Sequence, residues 1–274
     1  MNRMEPSGTV PTTHVRAGGQ VATRRTLPEE TPVAMVYDGT THAVMMASPT
    51  DIEDFATGFS LTEGIVTGMD QLASCETVAH DRGIEARMWL TGPRAEALNA
   101  RRRTLAGPVG CGLCGIDSLE QATRALPVLH RQGPALTAEE IASATDQLCG
   151  WQPLHDRTHG VHAAGFLLPG KGVILAREDV GRHNALDKLI GALARQGLDA
   201  ELGAFALTSR VSVEMVQKCA MAGCTILIAA SAPTLHALRL AEGAGITVAG
   251  FARGKEFDLF SHPERLEAEF RHVA

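Results

Sequence analysis

Ala204-Phe205-Ala206-Leu207-Thr208-Ser209-Arg210-Val211-Ser212-Val213-Glu214-Met215-Val216-Gln217-Lys218-Cys219-Ala220-Met221-Ala222-Gly223-Cys224-Thr225-Ile226-Leu227-Ile228-Ala229-Ala230 reads as strand, polar turn, helix and strand. Its two ends, Ala204 to Thr208 and Thr225 to Ala230, are short continuous apolar runs, and Val211 to Ala222 between them has helical spacing. Strands without alternation are buried on both faces, so helices must cover both sides of their sheet. The rhythm extends outward. A helix from about Asn184 to Ala194 precedes the stretch, and a helix over Leu235 to Ala241 and a strand over Ile246 to Phe251 follow it. This βαβ alternation predicts an α/β protein whose ligands bind outside the carboxyl ends of the strands.

Further upstream, Val161 to Leu168 and Gly172 to Ala176 read as a strand pair joined through Pro169-Gly170, after a helix that Thr137 and Glu140 cap and that ends near Cys149. In the amino-terminal half, strand-like Val33 to Tyr37 and His42 to Ala47 flank Asp38-Gly39, a hairpin signal because glycine accepts positive φ. Thr50 and Glu53 suit a capping box for a helix burying Ile52, Phe55, Ala56 and Phe59. Ile84 to Leu90 alternates like a half-buried strand, and residues 94–106 look helical. The expected organisation is a flexible tail over residues 1–25, polar and without periodicity, a smaller α+β module over 26–130, and a sheet domain over 135–274. Pro127 and Gly133-Pro134 mark the boundary.

Composition narrows the chemistry. At 274 residues and 45% hydrophobic content the chain can build a core without covalent staples, and six cysteines are too few for a disulfide scaffold. A formal net charge of −6 argues against general nucleic-acid binding. No run approaches the roughly 18 apolar residues of a membrane span, and Met1 to Arg25 lacks an apolar leader core. A soluble, cytoplasmic protein is expected.

Gly110-Cys111-Gly112-Leu113-Cys114-Gly115 carries the sharpest chemical signal. Asp117 and Glu120 read as a capping pair for a helix with Leu119, Ala122 and Leu126 on one face, placing both thiols just before a helix N-terminus. The positive end of the dipole there favours a thiolate, the nucleophilic form. A metal site is disfavoured because no second C-x-x-C or matching His pair is evident, and a thioredoxin-like role because the pair lies mid-chain. The zinc-deaminase signature is missing, since Gly110 precedes Cys111 and no His-x-Glu lies upstream; no bound structural or catalytic metal is expected. Cys75, Cys149, Cys219 and Cys224 read as ordinary structural residues.

Four polar segments fall near strand ends: Thr158 to His162, Arg177 to Asn184, Thr208 to Arg210, and Phe251 to Lys255. Arginines, hydroxyls and glycine amides at such places hold phosphates and base edges, so a nucleotide-bearing ligand fits. No Walker A or G-x-G-x-x-G motif accompanies them. Each has a plainer reading: His159 and His162 as hydrogen-bonded loop, Glu178, Asp179, Arg182 and Asp187 as a capping and ion-pair cluster, and Arg101 to Arg103 as a solvated helix face.

Taken together, Gly110 to Gly115, Arg177-Glu178-Asp179-Val180-Gly181-Arg182-His183-Asn184-Ala185-Leu186-Asp187-Lys188, Ser209 to Lys218 and Gly250-Phe251-Ala252-Arg253-Gly254 resemble the FdhD family of formate dehydrogenase accessory proteins, collinearly over about residues 26–265. The resemblance implies a cytidine-deaminase-like three-layer sheet domain and a homodimer. It also implies a sulfurtransferase: a sulfur carrier that takes sulfur as a persulfide from a cysteine desulfurase and delivers it to the molybdenum cofactor, bis-molybdopterin guanine dinucleotide, before insertion into formate dehydrogenase. Cys111 matches the persulfide-carrying cysteine and Cys114 its partner. Phe251, Ala252, Arg253, Gly254, Lys255 and Glu256 match the segment contacting the guanine-nucleotide cofactor. The competing class is a non-catalytic chaperone that escorts the same cofactor.

Overall fold

The computed structural model describes residues 4–95, 125–130 and 133–266. The predicted helix at 94–106 lies almost wholly outside them, as do Cys111, Cys114 and the helix expected after them.

The chain opens with a long hairpin, β1 (Ser7–Arg16) and β2 (Gly19–Pro28), paired antiparallel from Ser7↔Pro28 to Arg16↔Gly19. The sequence suggested an unpatterned tail here. Alternation is missing because both faces of the hairpin meet solvent, so threonine and valine contribute strand propensity without an apolar stripe. A four-stranded sheet follows in the order β4-β3-β6-β5, built from β3 (Thr31–Tyr37), β4 (Thr40–Ala47), β5 (Leu72–His80) and β6 (Gly83–Leu90). Asp38 and Gly39 take the expected left-handed turn, with φ of 49° and 76°. Helix α1 (Ile52–Thr62) covers one face of this sheet, packing Phe55 and Phe59 against Met35, Tyr37 and Met88.

The second sheet has six strands in the order β12-β11-β10-β9-β7-β8. Its elements are α2 (Ala138–Cys149), α3 (Pro153–Thr158), β7 (His162–Leu168), β8 (Gly172–Asp179), α4 (Arg182–Arg195), β9 (Ala204–Leu207), α5 (Val213–Met221), β10 (Ile226–Ala229), α6 (Leu235–Ala244), β11 (Thr247–Arg253) and β12 (Glu256–Ser261). Strands β9, β10 and β11 run parallel, while β7, β8 and β12 are joined antiparallel. All residues of β9 and β10 are buried, as continuous apolar strands require. Helices α4, α5 and α6 cover one face through Leu186, Leu189, Met215 and Val216; α2 covers the other through Ile141 and Leu148. The Thr137–Glu140 capping box forms as expected. That of Thr50 and Glu53 does not: α1 begins at Asp51 with no side-chain cap, and Glu53 is drawn instead to Arg195.

The two sheets are joined back to back through α1 and α4. A Cβ on Gly58 would stand 1.8 Å from the carbonyl oxygen of Asp187, and one on Gly191 would stand 1.9 Å from that of Asp54. Only glycine at both positions permits this crossing. Beside it lies a buried network. The Lys188 ammonium meets the Asp179 carboxylate at 2.6 Å, both side chains fully buried, and donates to the Ser48 carbonyl at 2.9 Å. The Ser48 amide donates to the same carboxylate at 2.9 Å, and Asn184 Nδ2 donates to the Met46 carbonyl at 2.8 Å. A second cluster sets Lys218 against Asp187 at 2.9 Å and Glu63 at 3.4 Å, with Thr62 donating to Asp187 at 2.7 Å. Burial works against the charge on Lys218, but the two carboxylates outweigh it and hold its pKa up. At the outer edge of the seam, Arg177 and Arg195 share the carboxylate of Asp54.

Two outcomes follow for the seam. Gly58→Ala or Gly191→Ala should lower stability by about 1–3 kcal/mol through overpacking, read as a shifted urea midpoint; an unchanged midpoint would show that the helices separate freely. Lys188→Met leaves Asp179 charged and buried without its partner, and should cost about 3–5 kcal/mol in the same measurement.

Candidate functional site

The carboxyl ends of β9, β10 and β11 bring the predicted polar segments onto one rim. After β9, the Thr208 hydroxyl accepts from the Ala163 amide at 2.9 Å, which places it beside the start of β7. His162 pairs in register with Asp179 at the end of β8, and the chain turns there into α4. The loop after β9 hooks onto the loop after β10: the Val211 amide donates to the Ala232 carbonyl, and Thr234 donates back to Val211. Beyond them, the Phe251 amide reaches the Ser231 carbonyl at 3.5 Å. The rim thus runs from α4 past His162 and Thr208 to Phe251.

At its far end, β11 and β12 form a turn that carries the predicted cofactor segment. Phe251 adopts φ of 53°, an uncommon conformation for a bulky residue, and its side chain is 49% exposed, tilted against Phe260. Ala252 is fully buried, and its carbonyl accepts from Thr145 Oγ1 of α2, so it anchors the turn. The Gly254 amide donates to Asp146 at 2.8 Å, with φ of 63° that glycine takes without strain. Arg253, Lys255 and Glu256 are exposed. The turn therefore presents an aromatic face and two cations to solvent, the combination that stacks a base and holds a phosphate.

At the near end the Arg177 to Asn184 segment divides between two tasks. Arg177 serves the seam, and Asp179 is the partner of Lys188. The Glu178 carboxylate accepts from the Leu154 and His155 amides at 2.8 and 2.7 Å, capping the first turn of α3; burial raises its pKa, against the pull of those two bonds. Arg182 and His183, at the start of α4, are the two that reach the rim. His183 Nε2 lies 2.9 Å from Glu214 Oε2, and the Ser212 hydroxyl donates to the same oxygen at 2.9 Å. These bonds, His183 first, hold Glu214 well below the usual carboxylate range, at about 2. Sequence reasoning set His162 aside and did not single out the His183–Glu214 pair. Their partners lie 31 residues apart, and no local pattern announces such a contact.

Two of the remaining thiols are held protonated by burial. Burial pushes Cys75 up to about 11 and lifts Cys219 well above the ordinary thiol range, while Cys224 is fully buried beside it. Cys149 is exposed and its thiol donates to the Thr145 carbonyl. The predicted sulfur-bearing pair, Cys111 and Cys114, lies outside the described residues. Among the described residues no group of three or more His, Cys, Asp or Glu is arranged to hold a metal ion, and no helix is long and apolar enough to cross a membrane. A cavity of about 460 Å³ lined by Asp51, Glu53, Asp54, Ile52 and Arg195 lies away from the rim, and Arg195 already pairs with Glu53 and Asp54.

Known proteins share both the sequence and the architecture. The chain is 49% identical over 254 residues to the sulfur carrier protein FdhD of Agrobacterium fabrum, covering 93% of this chain and 94% of that one. It is 53% identical over 251 residues to the protein of the same name from Brucella abortus, covering 92% and 93%. A crystal structure described as a formate dehydrogenase accessory protein from Desulfotalea psychrophila superposes with a TM-score of 0.76 at 24% identity, over 96% of this chain and all of that one, and shows the same fold. The FdhD/NarQ family model matches residues 28–267, a span holding the six-stranded sheet, its rim and Gly110 to Gly115, and the chain belongs to that family.

Proposed function

We propose that the protein is a sulfur carrier that acts as a sulfurtransferase in the maturation of formate dehydrogenase. The observation that carries this reading is the near 50% identity, over more than nine-tenths of the chain, to relatives named sulfur carrier proteins. The Cys111 thiolate attacks the outer sulfur of a persulfide on a cysteine desulfurase. The donor S–S bond breaks, the desulfurase cysteine leaves as a thiolate, and Cys111 carries the persulfide with no net oxidation. Cys114 is its partner thiol. The sulfur is then delivered to the molybdenum cofactor as substrate, bis-molybdopterin guanine dinucleotide, before that cofactor enters the apoenzyme. The guanine nucleotide end is received by Phe251 to Glu256, where the exposed ring of Phe251 and the charges of Arg253 and Lys255 supply stacking and phosphate contacts. The layered core is that of a deaminase-like domain put to carrier use, and the working unit is a cytoplasmic homodimer.

Two experiments test this assignment. Incubated with a cysteine desulfurase and cysteine, the wild type should gain one sulfur by intact mass, and Cys111→Ser should not. A wild type that binds cofactor yet gains no sulfur would favour a non-catalytic cofactor escort. Arg253→Ala with Lys255→Ala should weaken GDP binding by about tenfold and leave sulfur loading intact; undiminished GDP affinity would remove the turn from the site.

A further inference from the structure

The near end of the rim holds a guanidinium whose Nε has no hydrogen-bond partner, although its positive field reaches Glu214. Arg182 is partly buried, and its Nε is shielded from solvent without a hydrogen-bond partner. Its neighbours in the fold show what such groups do when their role is internal: Arg177 is spent on Asp54, Lys188 on Asp179 and Lys218 on Asp187. A shielded donor without an acceptor is costly and calls for a partner from outside the chain.

The surroundings specify its sign. Arg182 is the first residue of α4, a 14-residue helix that begins without a side-chain cap, so its leading N–H groups have no i−4 carbonyl and point outward. His183 is held at Nε2 by Glu214, which leaves Nδ1 without a partner among the described residues. His162 stands beside both: its pKa is lowered by burial first, and then by the positive fields of Arg182, His183 and His155. Two carboxylates lie near and each is already engaged, Glu214 by His183 and Ser212, Asp179 by Lys188, Ser48, Asn184 and the Gly181 amide. The open valences at this end of the rim are donors.

We propose that Arg182, His183 and His162 form a second anion subsite, which takes a phosphate group, with Glu214 as the residue that positions His183. From β11 to β7 the rim crosses β10 and β9, three strand spacings or about 14 Å. A ligand whose nucleotide lies at the Phe251 turn reaches this subsite only if it is elongated and carries a further anionic group. The subsite thus deepens the cofactor reading and rests on it for the identity of the ligand, though not for the binding of phosphate itself.

Inorganic pyrophosphate is the probe, titrated calorimetrically into the full chain, with GDP in parallel. The wild type should bind pyrophosphate, and in an Arg253→Ala/Lys255→Ala background, which removes the turn's own phosphate contacts, adding Arg182→Gln should weaken it by about tenfold or more. No pyrophosphate binding by the wild type, equal affinity on adding Arg182→Gln, or loss confined to the Arg253/Lys255 variant would each overturn the subsite. Should Arg182→Gln fail to fold, Arg182→Lys keeps the charge and removes Nε, and its unchanged affinity would also overturn it. In the wild type the His183 Nδ1 ¹⁵N resonance should move on addition of pyrophosphate, and in Glu214→Gln this response should be lost; a stationary resonance in the wild type counts against the proposal. Pyrophosphate binding that depends on Arg182, with no GDP binding at all, would leave the subsite standing and remove the nucleotide reading.

Discussion

The contact between Lys188 and Asp179 governs the rest of the molecule. Two opposite charges without solvent exposure survive only where geometry and further hydrogen bonds compensate their desolvation, and here the Ser48 amide and carbonyl supply both. Ser48 belongs to the amino-terminal layer, Asp179 and Lys188 to the six-stranded sheet and its covering helix. The pair therefore specifies how the layers meet. Gly58 and Gly191 allow the close helix crossing, and the ion pair selects its register. Asp179 has a second duty, because its other oxygen accepts from the Gly181 amide at 2.8 Å and from Asn184 at 2.9 Å. The start of α4 is set by the same carboxylate that sets the seam.

Structural and chemical roles alternate along one short segment. Arg177, Glu178, Asp179, Asp187 and Lys188 are consumed by the fold, whereas Arg182 and His183, at the turn between strand and helix, remain available. The division follows burial. Glu178, Asp179, Asp187 and Lys188 are buried, Arg177 is turned to Asp54 at the seam, and the turn lies where open α/β sheets bind their ligands.

The parts of this architecture that the sequence made legible are those ruled by local physics. Strands β9, β10 and β11 were readable within a residue or two because continuous apolar runs admit few alternatives. The Thr137–Glu140 box was readable because its bonds close within one turn. At Thr50 and Glu53 the same motif failed, since Arg195 from a distant helix competes for the glutamate. Strands β5 and β12 and the first hairpin escaped notice because exposed or edge strands carry no buried stripe. Along the rim, Phe251 to Glu256 is assigned a cofactor role by resemblance alone, while the His183–Glu214 contact required the fold itself. The sheet-end rule located the rim; it did not separate the arginine that pairs within the core from the one that does not.

The rim has two walls of unequal stiffness. One, the start of α4, is fastened through Asp179 to the interior and to the neighbouring layer. The other, the β11–β12 turn, is tied to α2 by the Gly254 and Ala252 backbone bonds and holds Phe251 in a left-handed conformation. A bulky residue held there stores conformational energy that its surroundings must sustain. The two walls are thus fastened by different means, one by a buried carboxylate shared with the seam and the other by backbone bonds to a single helix at the cost of local strain.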